Sequence, residues 1–285
     1  MTDILVTGAS GLFGGEVTRQ LVARGVPIRI LVRSRSKAPE LDKPVDIVVG
    51  DFSNTAALAE ALDGIEKLFL ASYDEPHLVE HQANVLTVAR QCGVQHVVRL
   101  SSAGIEENKD LPDIHRHGIC ERQLEESGMA FTHLRPMWVM QNFESFVVDD
   151  QIRLPAGDGR IGLVDHRDIA AVAVEALTTS GHEGKAYDLV TESLSHAEVA
   201  EQLSEATGRS ITYENISSEV YEQALESAGY LKDGIDTLQG LFLDVRKGIN
   251  SDTNVSDTVK DVLGHAGIKF RQFAQDYAIK IGTGS

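Results

Sequence analysis

The first half of this 285-residue chain repeats one phrase: an amphipathic helix, a glycine, then a short apolar strand. "EVTRQLVARG" runs through Gly25 to "IRILV", and "TAALAEALDG" through Gly64 to "KLFLA". "ANVLTVARQCG" runs through Gly93 to "HVVRL", and "CERQLEESG" through Gly128 to "FTHLR". Each glycine stands where a helix ends on a left-handed residue. Strands that are largely apolar are those covered by helices on both faces. Alternation of this kind predicts a parallel α/β sheet with right-handed crossovers.

After about Met137 the rhythm loosens. "AGDGRIGLVDHRDIAAVAVEAL" reads as a turn, a short strand and a helix, and "KAYDLV" and "SITYENI" as two further strands. A helix from about His196 to Thr207 is predicted between them, and from Ser217 the pattern is mainly helical. No tandem repeat or Pro/Ser-rich linker divides the chain. The reading is one domain over 1–285, with about 137–285 contributing a substrate lobe and a cleft against the sheet.

Charge narrows the partners. A formal net charge of −17 repels phosphate backbones, which argues against nucleic acid. Hydrophobic residues make up 42% and charged residues 24%, a balance that suits a globular chain able to bury a core without staples. The two cysteines, Cys92 and Cys120, have no CxxC spacing and fit a reducing compartment. The N-terminus shows no signal-peptide pattern and no stretch reaches membrane-span length, so a cytoplasmic setting without membrane contact is expected. A homodimer is compatible with the sequence but not specified by it.

The first strand runs into "GASGLFGGEV", which places glycines at Gly8, Gly11 and Gly14 before a helix. Gly8 permits a tight turn, Gly11 lets backbone N–H groups approach a pyrophosphate, and Gly14 lets helix and strand pack closely. Ser10, Leu12 and Phe13 complete the cradle, and the helix start offers free N–H groups to the anion. This is the fingerprint of a dinucleotide site in a Rossmann-type sheet. Arg33, closely followed by Arg35 and Lys37, stands where NAD-binding chains carry an acid for the ribose 2′-OH. An arginine there suits a 2′-phosphate, so NADP(H) is favoured, with NAD(H) as the alternative. Asp51 and Phe52, after the third strand, could hold the adenine edge and face. Ala71 and Ser72 after the fourth strand, and Ser101 after the fifth, add cofactor-binding candidates, because ligands lie at C-terminal strand ends in such sheets. Tyr73, Ser102 and Ala103 are placed nearest the acceptor.

"TGASGLFGG", "VR" after strand two, "GDF", "SSAG", "LRP" and "DHRDIA" together resemble the atypical short-chain dehydrogenase/reductases of the NmrA-like group. Within it the chain is similar to the triphenylmethane reductase and NADPH-dependent quinone oxidoreductase branches. The likeness covers nearly the whole chain. It implies a doubly wound parallel sheet with a small, mainly helical C-terminal lobe and a nicotinamide dinucleotide cofactor.

"DIHRHGICERQL" tests that implication. Most short-chain reductases carry Tyr-x-x-x-Lys on this helix. Aligned here, the tyrosine position is Asp113 and the lysine position is His117, so the dyad is expected to be absent. Reducing a simple ketone makes an alkoxide and needs a proton donor. A quinone or cationic dye delocalises the incoming electrons, so the pattern favours hydride transfer to a conjugated acceptor. His117 would then orient cofactor or acceptor. The rival function is a non-catalytic NADP(H)-sensing regulator. A metal at His117, Cys120 and Glu121, which share a helix face, lacks a second ligand cluster and is not expected. The plain alternative is the polar first turn of a helix with Cys120 buried. In "LRPMWVMQNFESF", Trp138 and Phe143 are the substrate-pocket candidates, although helical spacing suits core packing for at least half of these apolar residues.

Overall fold

The computed structural model describes residues 3–72, 76–249 and 255–282. The chain forms two compact units that alternate along the sequence. The first comprises Met1–Ser102, Arg116–Arg135 and His166–Asp188, and the second Ala103–His115, Pro136–Asp165 and Leu189–Ser285.

The first unit is built on strands β1 (Ile4–Val6), β2 (Ile28–Val32), β3 (Asp46–Val49), β4 (Lys67–Leu70), β5 (His96–Leu100) and β6 (Ala130–Pro136). They lie in the order β6-β5-β4-β1-β2-β3, with strand Lys185–Leu189 beyond β6. Every pairing from β3 to β6 is parallel. The order reverses between β1 and β4, the switch point where such sheets bind ligands. Helices α1 (Leu12–Ala23), α2 (Thr55–Leu62), α3 (Leu78–Cys92) and α4 (Pro112–Glu125) make the crossovers. The four punctuating glycines all have positive φ, at Gly25, Gly64, Gly93 and Gly128. At Gly93 the left-handed turn lets its N–H close α3 onto the carbonyls of Ala89 and Arg90.

Strand alternation divides the sheet face covered by α2 and α3. Leu5, Leu31, Leu68, Leu70 and Val97 join Leu58, Leu62, Val85 and Ala89 in one apolar cluster. Two residues beyond Val97, the same face of β5 carries Arg99 and then Ser101. The same face of β6 carries His133 and then Arg135. Arg99 and His133 are register partners. This corner of the face is polar, and α4 brings His117 and Glu121 to it.

The second unit contains two small sheets. Strands Glu192–Ser195, Arg160–Val164 and Trp138–Val139 form one, and Thr212–Asn215, Gln151–Leu154 and Val147–Val148 the other. Helices His196–Thr207, Ser218–Ser227, Lys232–Lys247, Thr258–Leu263 and Phe270–Gly282 accompany them. The helix at His196 starts where the sequence predicted, because Ser195 and Glu198 form a reciprocal capping box. Most of the short strands were not foreseen. They are two to four residues long, and Val147–Val148 joins Gln151–Leu154 through Asp149 and Asp150, both at positive φ (49° and 60°). A mirror-image turn of this kind is usually announced by Asn-Gly or Asp-Gly.

Among the described residues, no helix is long and apolar enough to cross a membrane.

Candidate functional site

The cradle is shaped by close backbone approach. Gly8 adopts φ +66°, and a Cβ there would meet the Ala71 carbonyl at 3.1 Å. A Cβ on Gly14 would fall 2.4 Å from the Gly8 oxygen and 2.5 Å from the Thr7 oxygen, so only glycine lets α1 sit against the end of β1. Gly11 differs. A Cβ there would meet only the Gly8 oxygen, at 3.3 Å, so the packing of the chain asks for glycine less strictly than at Gly8 or Gly14. Gly11 is also the N-cap residue of α1; no side chain caps the helix and no acid occupies its first turn. The N–H groups of Leu12, Phe13 and Gly14 therefore begin the helix without a carbonyl one turn behind them, which suits an anion. Thr7 secures the cradle: its Oγ1 accepts from the Ala71 N–H at 2.9 Å and lies 3.0 Å from the Phe69 and Ala71 carbonyls.

The remaining cofactor candidates gather at the same strand ends. Ser10 is exposed beside Gly11, and Arg33 is exposed directly after β2. Arg35 is occupied otherwise, since its Nη2 donates to the Ile47 carbonyl at 3.2 Å. Asp51 accepts from the Ser53 hydroxyl (2.6 Å) and backbone (2.9 Å), and these bonds hold its carboxyl below the usual range. Phe52 is half-buried on the apolar cluster, and its carbonyl accepts from Asn84 at 3.2 Å. Ala71 is buried and Ser72 half-buried at the end of β4. Tyr73 lies outside the described residues.

Under α4 the polar side chains form two sets. In the first, Arg99, fully buried, donates from Nε to Gln82 Oε1 (2.7 Å) and from Nη2 to His117 Nδ1 (3.0 Å). Gln82 Nε2 then donates to Ser72 Oγ at 2.8 Å. In the second, Glu121, 3% exposed, takes both Arg135 nitrogens (Nε 3.0 Å, Nη2 2.5 Å) and the Ser101 hydroxyl (2.5 Å). Burial pushes the Glu121 carboxyl up, but the Arg135 bonds, helped by His133 and Ser101, outweigh it and hold the group lowered. His133 is driven down to about 4, chiefly by burial, with Arg99 and Arg135 nearby adding to the effect. Ser101, placed by sequence at the cofactor, thus has its hydroxyl proton committed to Glu121. Cys120 is buried between these sets on α4.

His117, Cys120 and Glu121 do not converge as ligands, since Arg99 takes His117 Nδ1 and Arg135 takes Glu121. Among the described residues, the group with three potential ligand atoms within 4.8 Å of one another is Glu121, Glu125 and His133. The Arg135 guanidinium already neutralises Glu121 there, which disfavours a further cation.

Of the other acceptor-side candidates, Ser102 belongs to the first unit, and Ala103, Trp138 and Phe143 to the second. The Ala103 N–H donates to the Pro136 carbonyl at 3.0 Å. Trp138 packs on Phe242, with ring centroids 5.0 Å apart, and Phe143 meets Phe270 edge-on at 5.4 Å. Both belong to the core of that unit. Sequence reasoning missed Gln82, Arg99 and Arg135. The available signal was an arginine inside each of two otherwise strand-like runs, "HVVRL" and "THLR".

A doubly wound sheet with a glycine cradle at its switch point defines a dinucleotide-binding chain of Rossmann type. The model of the NmrA-like family matches residues 1–252, and the chain belongs to that family. It is 35% identical over 290 residues to the NAD(P)H azoreductase of Xenophilus azovorans, with 98% of this chain and 99% of that one covered. It is 32% identical over 274 residues to quinone oxidoreductase 2 of Escherichia coli (strain K12), covering 92% and 94%. The NADP(H) complex of the Citrobacter sp. triphenylmethane reductase superposes with a TM-score of 0.83 at 28% identity, covering 97% and 100%.

Proposed function

We propose that this chain is an NADPH-dependent oxidoreductase that transfers hydride to a conjugated acceptor such as a quinone or a dye. The observation that carries the reading is the Gly8–Gly11–Gly14 cradle, opened toward a ligand by the unfilled side of Gly11, in a chain similar end to end to an azoreductase and a quinone reductase. The cofactor, when bound, supplies the hydride. Residues 8–14 would hold its pyrophosphate, Arg33 a 2′-phosphate, and Asp51 with Phe52 the adenine. Ser72 and His117 would offer side-chain contacts, with His117 orienting cofactor or acceptor. Asp113 and His117 stand where other short-chain reductases carry their Tyr/Lys dyad, so the chemistry rests on positioning, which suits acceptors that delocalise charge.

The test is NADPH consumption with a panel of quinones, azo dyes and triphenylmethane dyes, beside cofactor titrations by fluorescence. Turnover with at least one class is expected, with NADPH bound more tightly than NADH. Arg33→Ala should cost about 1.5–3 kcal/mol of NADPH binding and little for NADH. Gly11→Val should stay folded, because its Cβ meets protein at the Gly8 oxygen alone (3.3 Å), and should lose NADPH, because the rest of the side chain would enter the space proposed for the pyrophosphate. Tight NADPH binding without turnover on any acceptor would replace the enzyme with a cofactor sensor. Full NADPH affinity in folded Gly11→Val would remove the cradle from the argument.

A further inference from the structure

We propose that Arg99 is a positioning residue: it sets the direction of the hydrogen bonds that run from His117 on α4 through Arg99 and Gln82 to Ser72 at the end of β4. The inference rests on the cofactor reading above, because Ser72 and His117 are two of its proposed contacts.

Arginine only donates. Its Nε bond at 2.7 Å therefore fixes Gln82 Oε1 as an acceptor and turns the Gln82 amide so that Nε2 faces Ser72. Gln82 donates at 2.8 Å, so Ser72 Oγ is the acceptor there and keeps its own proton to give elsewhere. At the other end the Nη2 bond at 3.0 Å fixes Nδ1 of His117 as an acceptor, which leaves the ring proton on Nε2. One buried cation thus makes donors of both ends, a serine O–H and a histidine Nε2–H. Two donors suit the oxygen atoms of a ribose, a phosphate or an acceptor carbonyl. Arg99 is 0% exposed, Gln82 1% and His117 8%, so water does not compete for these bonds and the order is held firmly.

Three elements share the chain: Gln82 on α3, Arg99 on β5 and His117 on α4. Replacing the middle residue should release both ends, whereas replacing Gln82 should release only Ser72. Gln82→Glu makes the sharper probe. The variant is nearly isosteric and still accepts from Arg99, but it cannot donate to Ser72. The serine would then give its proton to the new carboxylate and lose its outward donor.

The experiment combines ring ¹⁵N spectroscopy of histidine-labelled protein with NADPH titration of the full chain. The His117 signal is assigned by its loss in His117→Gln. Wild type should show the Nε2–H tautomer, and Arg99→Met should show a tautomer mixture with kcat/KM down about 10- to 100-fold. Gln82→Glu should raise the NADPH Kd about tenfold with kcat changed less than about threefold, and adding Ser72→Ala should weaken binding no further. A proton on Nδ1 of wild-type His117, or wild-type NADPH affinity in Gln82→Glu, would overturn the proposal. If Arg99→Met does not fold, the wild-type tautomer and the Gln82→Glu titration decide. Failure of wild type to bind NADPH would defeat the cofactor reading instead, and the tautomer would still report on Arg99.

Discussion

The polar corner beneath α4 and the aromatic core of the second unit each bury histidine, to opposite ends. Beneath α4 the rings work through their nitrogens: His117 accepts from Arg99, and His133 Nε2 lies 3.2 Å from Glu125. In the second unit His196 is 1% exposed, and among the described residues neither ring nitrogen has a hydrogen-bond partner. It stacks on Tyr213 at 5.4 Å and lies near Phe143 and Phe242. There the imidazole serves as a flat piece of core. Burial alone does not distinguish these histidines; the partners of their ring nitrogens do.

Removing charge from the polar corner should have the largest effect. Arg135→Met leaves Glu121 buried without its counter-ion and should cost about 3–5 kcal/mol, read as a large fall in denaturation midpoint. The double variant Arg135→Met/Glu121→Met should recover much of that loss. A single-variant cost under about 1 kcal/mol would mean that the pair is not held as a buried unit.

Acid should probe both regions. Burial drives His196 and His133 down to about 4, against an ordinary value near 6.5. Above 6.5 the ring is neutral in both folded and unfolded chains. Between 6.5 and 4 the unfolded chain binds a proton that the folded chain does not, so stability falls as pH falls, and the loss is complete below 4. Each histidine should contribute about 3 kcal/mol to that loss. Denaturant titrations from pH 8 to pH 4 check it. His196→Leu should cost within about 1 kcal/mol at pH 8 and remove the share of the acid loss that His196 contributes, about 3 kcal/mol. An unchanged slope would show that His196 is not held neutral.

The smallest effect is expected at the turn of the second unit. Asp149 holds a left-handed conformation in the two-residue turn. Asp149→Gly should relieve it and raise stability by about 0.5–1 kcal/mol, whereas Asp150→Gly should gain less because it gives up the 2.7 Å ion pair with Arg209. Equal gains would show that the ion pair contributes nothing.

Local chemistry made much of the first unit legible from sequence. Glycine at helix ends and at the Gly8 turn reports backbone conformations that few other residues adopt, and runs such as "IRILV" report strands without knowledge of their neighbours. Hence the alternation of strands and helices was visible in the repeated phrase, and the Gly8 turn and the position of Arg33 after β2 in "TGASGLFGG" and "LVRSRSK". Two strands of the second unit, Arg160–Val164 and Thr212–Asn215, were legible as well, but shorter ones such as Val147–Val148 were not, because they draw stability from pairing and carry little period of their own. The histidines were ambiguous for the same reason. His117 and His196 are alike as letters in a helix, yet one faces an arginine from β5 and the other faces aromatic rings. Which protons point where under α4 depends on Arg99, Gln82 and His117 meeting from three elements, and a hydrogen bond exists only when folding brings its two ends within about 3 Å.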